Sequence, residues 1–136
     1  MKYFLHDHDI PESLNVGKMV AIDTETTGLN LTRDRLCLIQ ICSGNKEAHL
    51  VKIKSQDNPA PNIVKMLSNN EILKIFHFGR FDIAVLLKHF RCNISPVYCT
   101  KIASKIARTS SAQHSLKHLL KELLSIEIPK FEQTSD

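Results

Sequence analysis

Three short apolar runs follow one another in the first half of the chain, and their spacing constrains the fold more than any other feature. The run 19–22 (MVAI) leads into a strand over residues 20–24, residues 36–43 (LCLIQICS) read as a second strand, and residues 48–53 (AHLVKI) as a third. Each is too short for a helix and rich in β-branched or bulky apolar residues. A loop carrying Gly28, Asn30 and Arg33, then the Gly44-Asn45 turn, separates them, so they predict an antiparallel meander. After Pro59-Ala60-Pro61 the rhythm changes. An amphipathic helix is expected over 62–67 with Ile63, Met66 and Leu67 on one face, then a strand over 72–76 and a helix over 81–90. A short strand at Val97-Tyr98 and helices over 100–108 and 115–125 follow. Strands that alternate with helices imply parallel pairing, so the expected class is α/β: a mixed sheet, a three-strand meander plus parallel strands, flanked by helices.

A length of 136 residues and a 43% hydrophobic fraction suit one domain with its own core, so residues 1–136 are expected to form a single domain. No apolar run is long enough to span a membrane, and residues 1–10 (MKYFLHDHDI) interleave charge and histidine where a signal peptide needs an apolar stretch. His6 and His8 are read there as solvated. Cys37, Cys42, Cys92 and Cys99 form no C-x-x-C pair, and Cys37 and Cys42 fall on opposite faces of a strand. Reduced, mostly buried thiols in a cytoplasmic protein are expected.

The net charge of +4 hides an uneven distribution. Residues 83–121 carry Lys88, Arg91, Lys101, Lys105, Arg108, Lys117 and Lys121 with no acid. Such a stretch is either a track for a polyanion or a solvated helix surface. His114 and His118 share a helix face as zinc ligands do, but Ser, Leu and Lys stand between them, so an exposed or half-buried pair is the expectation. The leucine stripe of 116, 119, 120, 123 and 124 predicts core or oligomer contact. Isolated Gly28 and Gly44 make no phosphate-cradling loop.

Two places carry chemistry. Asp23-Thr24-Glu25 ends the first apolar strand, where alternation puts both carboxylates on one face. Like charges there repel and are poorly solvated, which a hard cation such as Mg2+ relieves; helix capping or loop solvation are the alternatives. In KIFHFGRFDIAVLL (74–87) a strand passes through a short hinge into a helix bearing Asp82 in its first turn. The macrodipole favours an acid there. It does not account for His77, Arg80 and Phe81 in the same turn, residue types that suit phosphate, phosphate and a nucleobase face respectively.

AIDTETTGL and HFGRFD resemble the first and second motifs of the metal-dependent 3′-5′ exonucleases that include ribonuclease D and oligoribonuclease. DRLCLIQI, KIFHFGRFDIAVL, YCTKIASKIAR and SLKHLLKELLSIEIPKFEQTSD are similar to the ribonuclease D branch, and within it to the compact nanoRNase C type. The resemblance implies a ribonuclease H-like fold, hydrolysis of RNA or short oligoribonucleotides to nucleoside 5′-monophosphates, and a homo-octamer. It implies two divalent metals, Mg2+ or Mn2+, held by four carboxylates, of which Asp23, Glu25 and Asp82 match three. It further implies that Thr26, Leu29, His77, Arg80 and Phe81 bind substrate, with Leu29 as a wedge between the last two bases. The family's third motif, a helical Tyr-x-x-x-Asp beyond the segment ending in QTSD, is not reached by Asp136. The expectation is therefore a C-terminally truncated exonuclease domain, lacking that helical segment, with weak metal binding, slow cleavage and exposed apolar surface. A catalytically impaired nucleic-acid-binding relic of the same fold is the alternative.

Overall fold

The structure is a computed structural model, and it describes residues 1–129. They form two compact units, Met1–Cys99 and the part that begins at Thr100. In the first, β1 (Lys2–Asp7), β2 (Met19–Thr26), β3 (Leu36–Cys42), β4 (Glu47–Lys52), β5 (Leu73–Phe76) and β6 (Val97–Cys99) make one sheet in the order β1-β4-β3-β2-β5-β6. β2, β3 and β4 are the antiparallel meander; β5 pairs parallel with β2, β6 with β5, and β1 with β4. The mixed α/β class expected above is the class observed.

Burial alternates along β2, with Val20, Ile22 and Thr24 inside and Met19, Ala21 and Asp23 outside. The inner face joins Ile39, Ile41, Val51 and Phe76 to Ile63, Met66 and Leu67 of α1 (Pro61–Ser68) and to Val85 and Leu86 of α2 (Gly79–Phe90). Each such side chain stabilises the unit by roughly 1.5–3 kcal/mol. α1 has no cap of its own, because Ala60 stands at its N-cap. Asp9 serves instead, its carboxylate accepting from the Asn62 and Ile63 N–H groups at 2.9 and 3.0 Å.

The N-terminal segment differs from expectation. Residues 2–7 stay largely exposed, as expected, but form the edge strand β1, and its pairing with β4 brings the His6 and His49 rings together with Nε2 and Nδ1 2.9 Å apart. His8 likewise meets Asn58, at 2.6 Å. The partners lie more than forty residues away, beyond the reach of any local pattern. The four cysteines are free, as expected, but half-buried rather than buried.

The second unit contains α3 (Thr100–Ala107) and α4 (Leu116–Leu124). Ser115 caps α4 by accepting from the His118 N–H, and the His118 ring bonds back to the same hydroxyl at 2.5 Å. His114 bonds Ser104 at 2.8 Å, so each histidine has a serine partner. Of the leucine stripe only Leu119 is buried; Leu116, Leu123 and Leu124 are exposed. Among the described residues no helix is long and apolar enough to cross a membrane.

Candidate active site

The site is built where β5 stops and α2 begins. β5 pairs with β2 only as far as Ala21, opposite Ile75. Three residues further along β2, the Thr24 N–H donates to Asp82 Oδ1 at 3.1 Å, and the Thr24 hydroxyl donates to the same oxygen at 2.5 Å. Asp82 thus takes the place of the missing strand and ties the first turn of α2 to the acid-bearing end of β2. Both residues are buried, at 6% and 7% exposure.

The turn that delivers Asp82 is sterically demanding. Phe78 adopts the left-handed conformation (φ 59°), which bulky residues rarely do, so that two residues suffice to pass from strand to helix. Gly79 follows because a Cβ there would stand 2.8 Å from the Phe76 Cβ. His77 is half-buried in this link and Arg80 is exposed on the first turn of α2. Phe81 is partly buried against the core, so part of its ring is committed to packing rather than open to a ligand.

Asp23 and Glu25 lie on the face of β2 opposite Thr24. Burial pushes the Asp82 carboxyl up to about 6, and the Asp23 charge adds to the rise while the Thr24 hydrogen bonds oppose it. A desolvated carboxyl that feels a neighbouring carboxylate is an oxygen donor set suited to a hard divalent cation. Among the described residues no three His, Cys, Asp or Glu side chains gather as a ready cage. Such an ion would therefore rely on water and substrate oxygens as well, as Mg2+ commonly does.

Beyond Glu25 the chain forms the loop that presents Leu29, 84% exposed. Thr26 donates its hydroxyl to the Gly28 carbonyl at 2.5 Å, and Asp34 folds back over Gly28 to accept from the Asn30 N–H at 2.8 Å and from Arg33 at 3.0 Å. A Cβ on Gly28 would meet Asp34 Cγ at 2.8 Å. Lys88 of α2 donates to the carbonyls of Leu31 and Thr32, anchoring the loop's far side. Sequence reasoning missed Thr24, Asp34 and Lys88; only Thr24's place between two acids marked it. The chain does contain one Tyr-x-x-x-Asp spacing, Tyr3 to Asp7, but it lies on β1 rather than a helix, and Asp7 ion-pairs with Lys54 at 3.4 Å.

Residues 7–136 match the model of the 3′-5′ exonuclease family. The chain belongs to that family. It is 30% identical over 123 residues to ribonuclease D of Zymomonas mobilis, covering 90% of this chain and 31% of that protein. The structure of Brucella melitensis NrnC with bound Mg2+ is similar at 48% identity and a TM-score of 0.91, covering 96% of this chain and 65% of that one. NrnC of the same organism bound to pGG is 49% identical, with a TM-score of 0.91 over 96% of this chain and 64% of that one. The chain thus spans about a third of the curated relative and just under two thirds of these structures. The ribonuclease H-like sheet implied by the motifs agrees with this family's fold.

Proposed function

We propose that the chain carries the phosphodiester-hydrolysing site of a 3′-5′ exoribonuclease that releases nucleoside 5′-monophosphates from the 3′ end of short RNA. The observation that carries this reading is the Thr24–Asp82 linkage, which brings the acid of α2 to the strand end that bears Asp23 and Glu25. Asp23, Glu25 and Asp82 would hold Mg2+ or Mn2+, whose chemistry is to lower the pKa of an attacking water and to neutralise charge on the phosphate. Leu29, held out on its anchored loop, would part the last two bases. Thr26 sits at the base of that loop. Arg80 can bind a phosphate bidentately, His77 can donate to one, and Phe81 can offer the free part of its ring to the terminal nucleotide.

Short 5′-phosphorylated dinucleotides are the substrate class favoured by the likeness to NrnC, which has been seen with pGG. RNA as the wider partner, a homo-octameric state and a cytoplasmic location, which four free thiols suit, belong to the same proposal. The test is hydrolysis of pGG by the 136-residue protein in Mg2+ or Mn2+. Mononucleotide release that disappears with EDTA and falls at least about 100-fold in Asp23→Asn is expected. Release unaffected by both would refute the reading.

A further inference from the structure

Asp82 can serve a cation only if its carboxylate is held in one orientation, and a carboxylate at the start of a helix has two soft torsions. The structure places two donors from one residue on one of its oxygens. The Thr24 N–H and hydroxyl both point at Oδ1, at 3.1 and 2.5 Å, from a position more than nine-tenths buried. The hydroxyl bond is short and charge-assisted, the kind that fixes geometry as well as adding energy. Thr24 is also the residue between Asp23 and Glu25, so the grip on Asp82 is made from the same short stretch of β2 that bears those two acids.

We propose that Thr24 is a positioning residue for Asp82: it saturates Oδ1, fixes the plane of the carboxylate, and leaves Oδ2 as the oxygen presented to the cation. This rests on the metal-binding reading of the site given above. The backbone bond alone leaves the carboxylate free to rotate about its Cβ–Cγ bond, and the hydroxyl removes that freedom. A threonine serves better than serine by burial and β preference, but the hydroxyl is the functional part.

Thr24→Val keeps the shape and the N–H donor and deletes only the hydroxyl; Thr24→Ser keeps the hydroxyl. Partners that orient metal ligands typically contribute about 10- to 100-fold in affinity or activity. Mn2+ binding followed by electron paramagnetic resonance on the 136-residue protein is therefore expected to weaken about 10- to 100-fold in Thr24→Val and to stay within about threefold of the parent in Thr24→Ser. With pGG, kcat should fall with the same ordering while KM stays within about threefold, a split that a general loss of structure would not give. Melting in EDTA reports folding separately, and Thr24→Ala replaces Thr24→Val if the latter melts early. Asp82→Asn divides the two ideas. If it weakens Mn2+ and Thr24→Val does not, or if Thr24→Ser loses as much as Thr24→Val, the positioning role is overturned. If Asp82→Asn leaves Mn2+ binding unchanged, the metal reading of the site falls and takes this proposal with it.

Discussion

Asp82 carries a cost that its position explains. Its carboxyl is ordinarily near 3.8 and is pushed up to about 6 by burial first, with the Asp23 charge adding to it. Below about pH 4 the group is protonated in both folded and unfolded chains, and its ionisation contributes nothing. Between about pH 4 and pH 6 the unfolded chain ionises while the folded one keeps its proton, so stability falls as pH rises. Above about pH 6 the full loss, roughly 3 kcal/mol, is in place. Urea unfolding in EDTA should therefore show Asp82→Asn gaining on the parent protein as pH rises from about 4 to about 6, with the gain constant at higher pH; a stability difference that stays the same from about pH 4 to about pH 7 would contradict this account. Lys74 is the opposite kind of buried charge. Fully enclosed, its ammonium donates to the carbonyls of Asn69, Ile72 and Ser95 at 2.7 to 2.8 Å, and burial lowers its pKa. Neither residue's surroundings could be placed from sequence alone: the motif singled out Asp82 as a candidate, but its bond to Thr24 and the acceptors of Lys74 are set by chain segments brought together in space.

At the scale of elements, the loop after β2 and helix α2 work as a pair. α2 supplies Asp82 at its start and Lys88 near its end, and Lys88 holds the loop that exposes Leu29. Leu29 contributes little to the core, so Leu29→Ala is expected to leave the melting temperature within about 1 °C and to reduce kcat/KM for pGG about tenfold or more, mostly through KM. Gly28→Ala should act differently, because its new Cβ displaces Asp34 and with it the Asn30 and Arg33 bonds that shape the loop. An unchanged kcat/KM for pGG in Leu29→Ala would remove the wedge role. Among the described residues the strands β2 to β6 and the helices α1 to α4 were legible to within about two residues at most ends, since each had its own periodicity or punctuation. β1 was not, because an edge strand shows little burial and its KYFLHD pattern reads equally as a polar arm.

Over the whole molecule, charge and apolar surface are both distributed unevenly. The acid-free stretch 83–121 runs through α2 and α3 and into α4, and α3 presents Lys105 on an exposed position beside exposed Ile102 and Ile106. If this stretch follows the backbone of a single-stranded substrate, Lys101→Glu with Lys105→Glu should weaken oligonucleotide binding and reduce the slope of log K against log salt by roughly 1.4, about 0.7 for each phosphate no longer neutralised. Fluorescence anisotropy across a salt series measures both; an unchanged slope would make the stretch a solvated surface.

What the sequence determined by itself was the class of fold and the meander, because periodicity and short motifs are local and survive without knowledge of partners. The order of the sheet's edge, the burial of Lys74, the capping of α1 by Asp9 and the grip of Thr24 on Asp82 were decided only in three dimensions. The cap and the grip join residues separated by 53 to 58 positions. The edge pairs strands with two others between them in the chain, and Lys74 depends on backbone carbonyls that every sequence possesses. Hydrogen bonds of that kind cannot be read from a local pattern, since which partner a side chain meets is decided by where the rest of the chain passes.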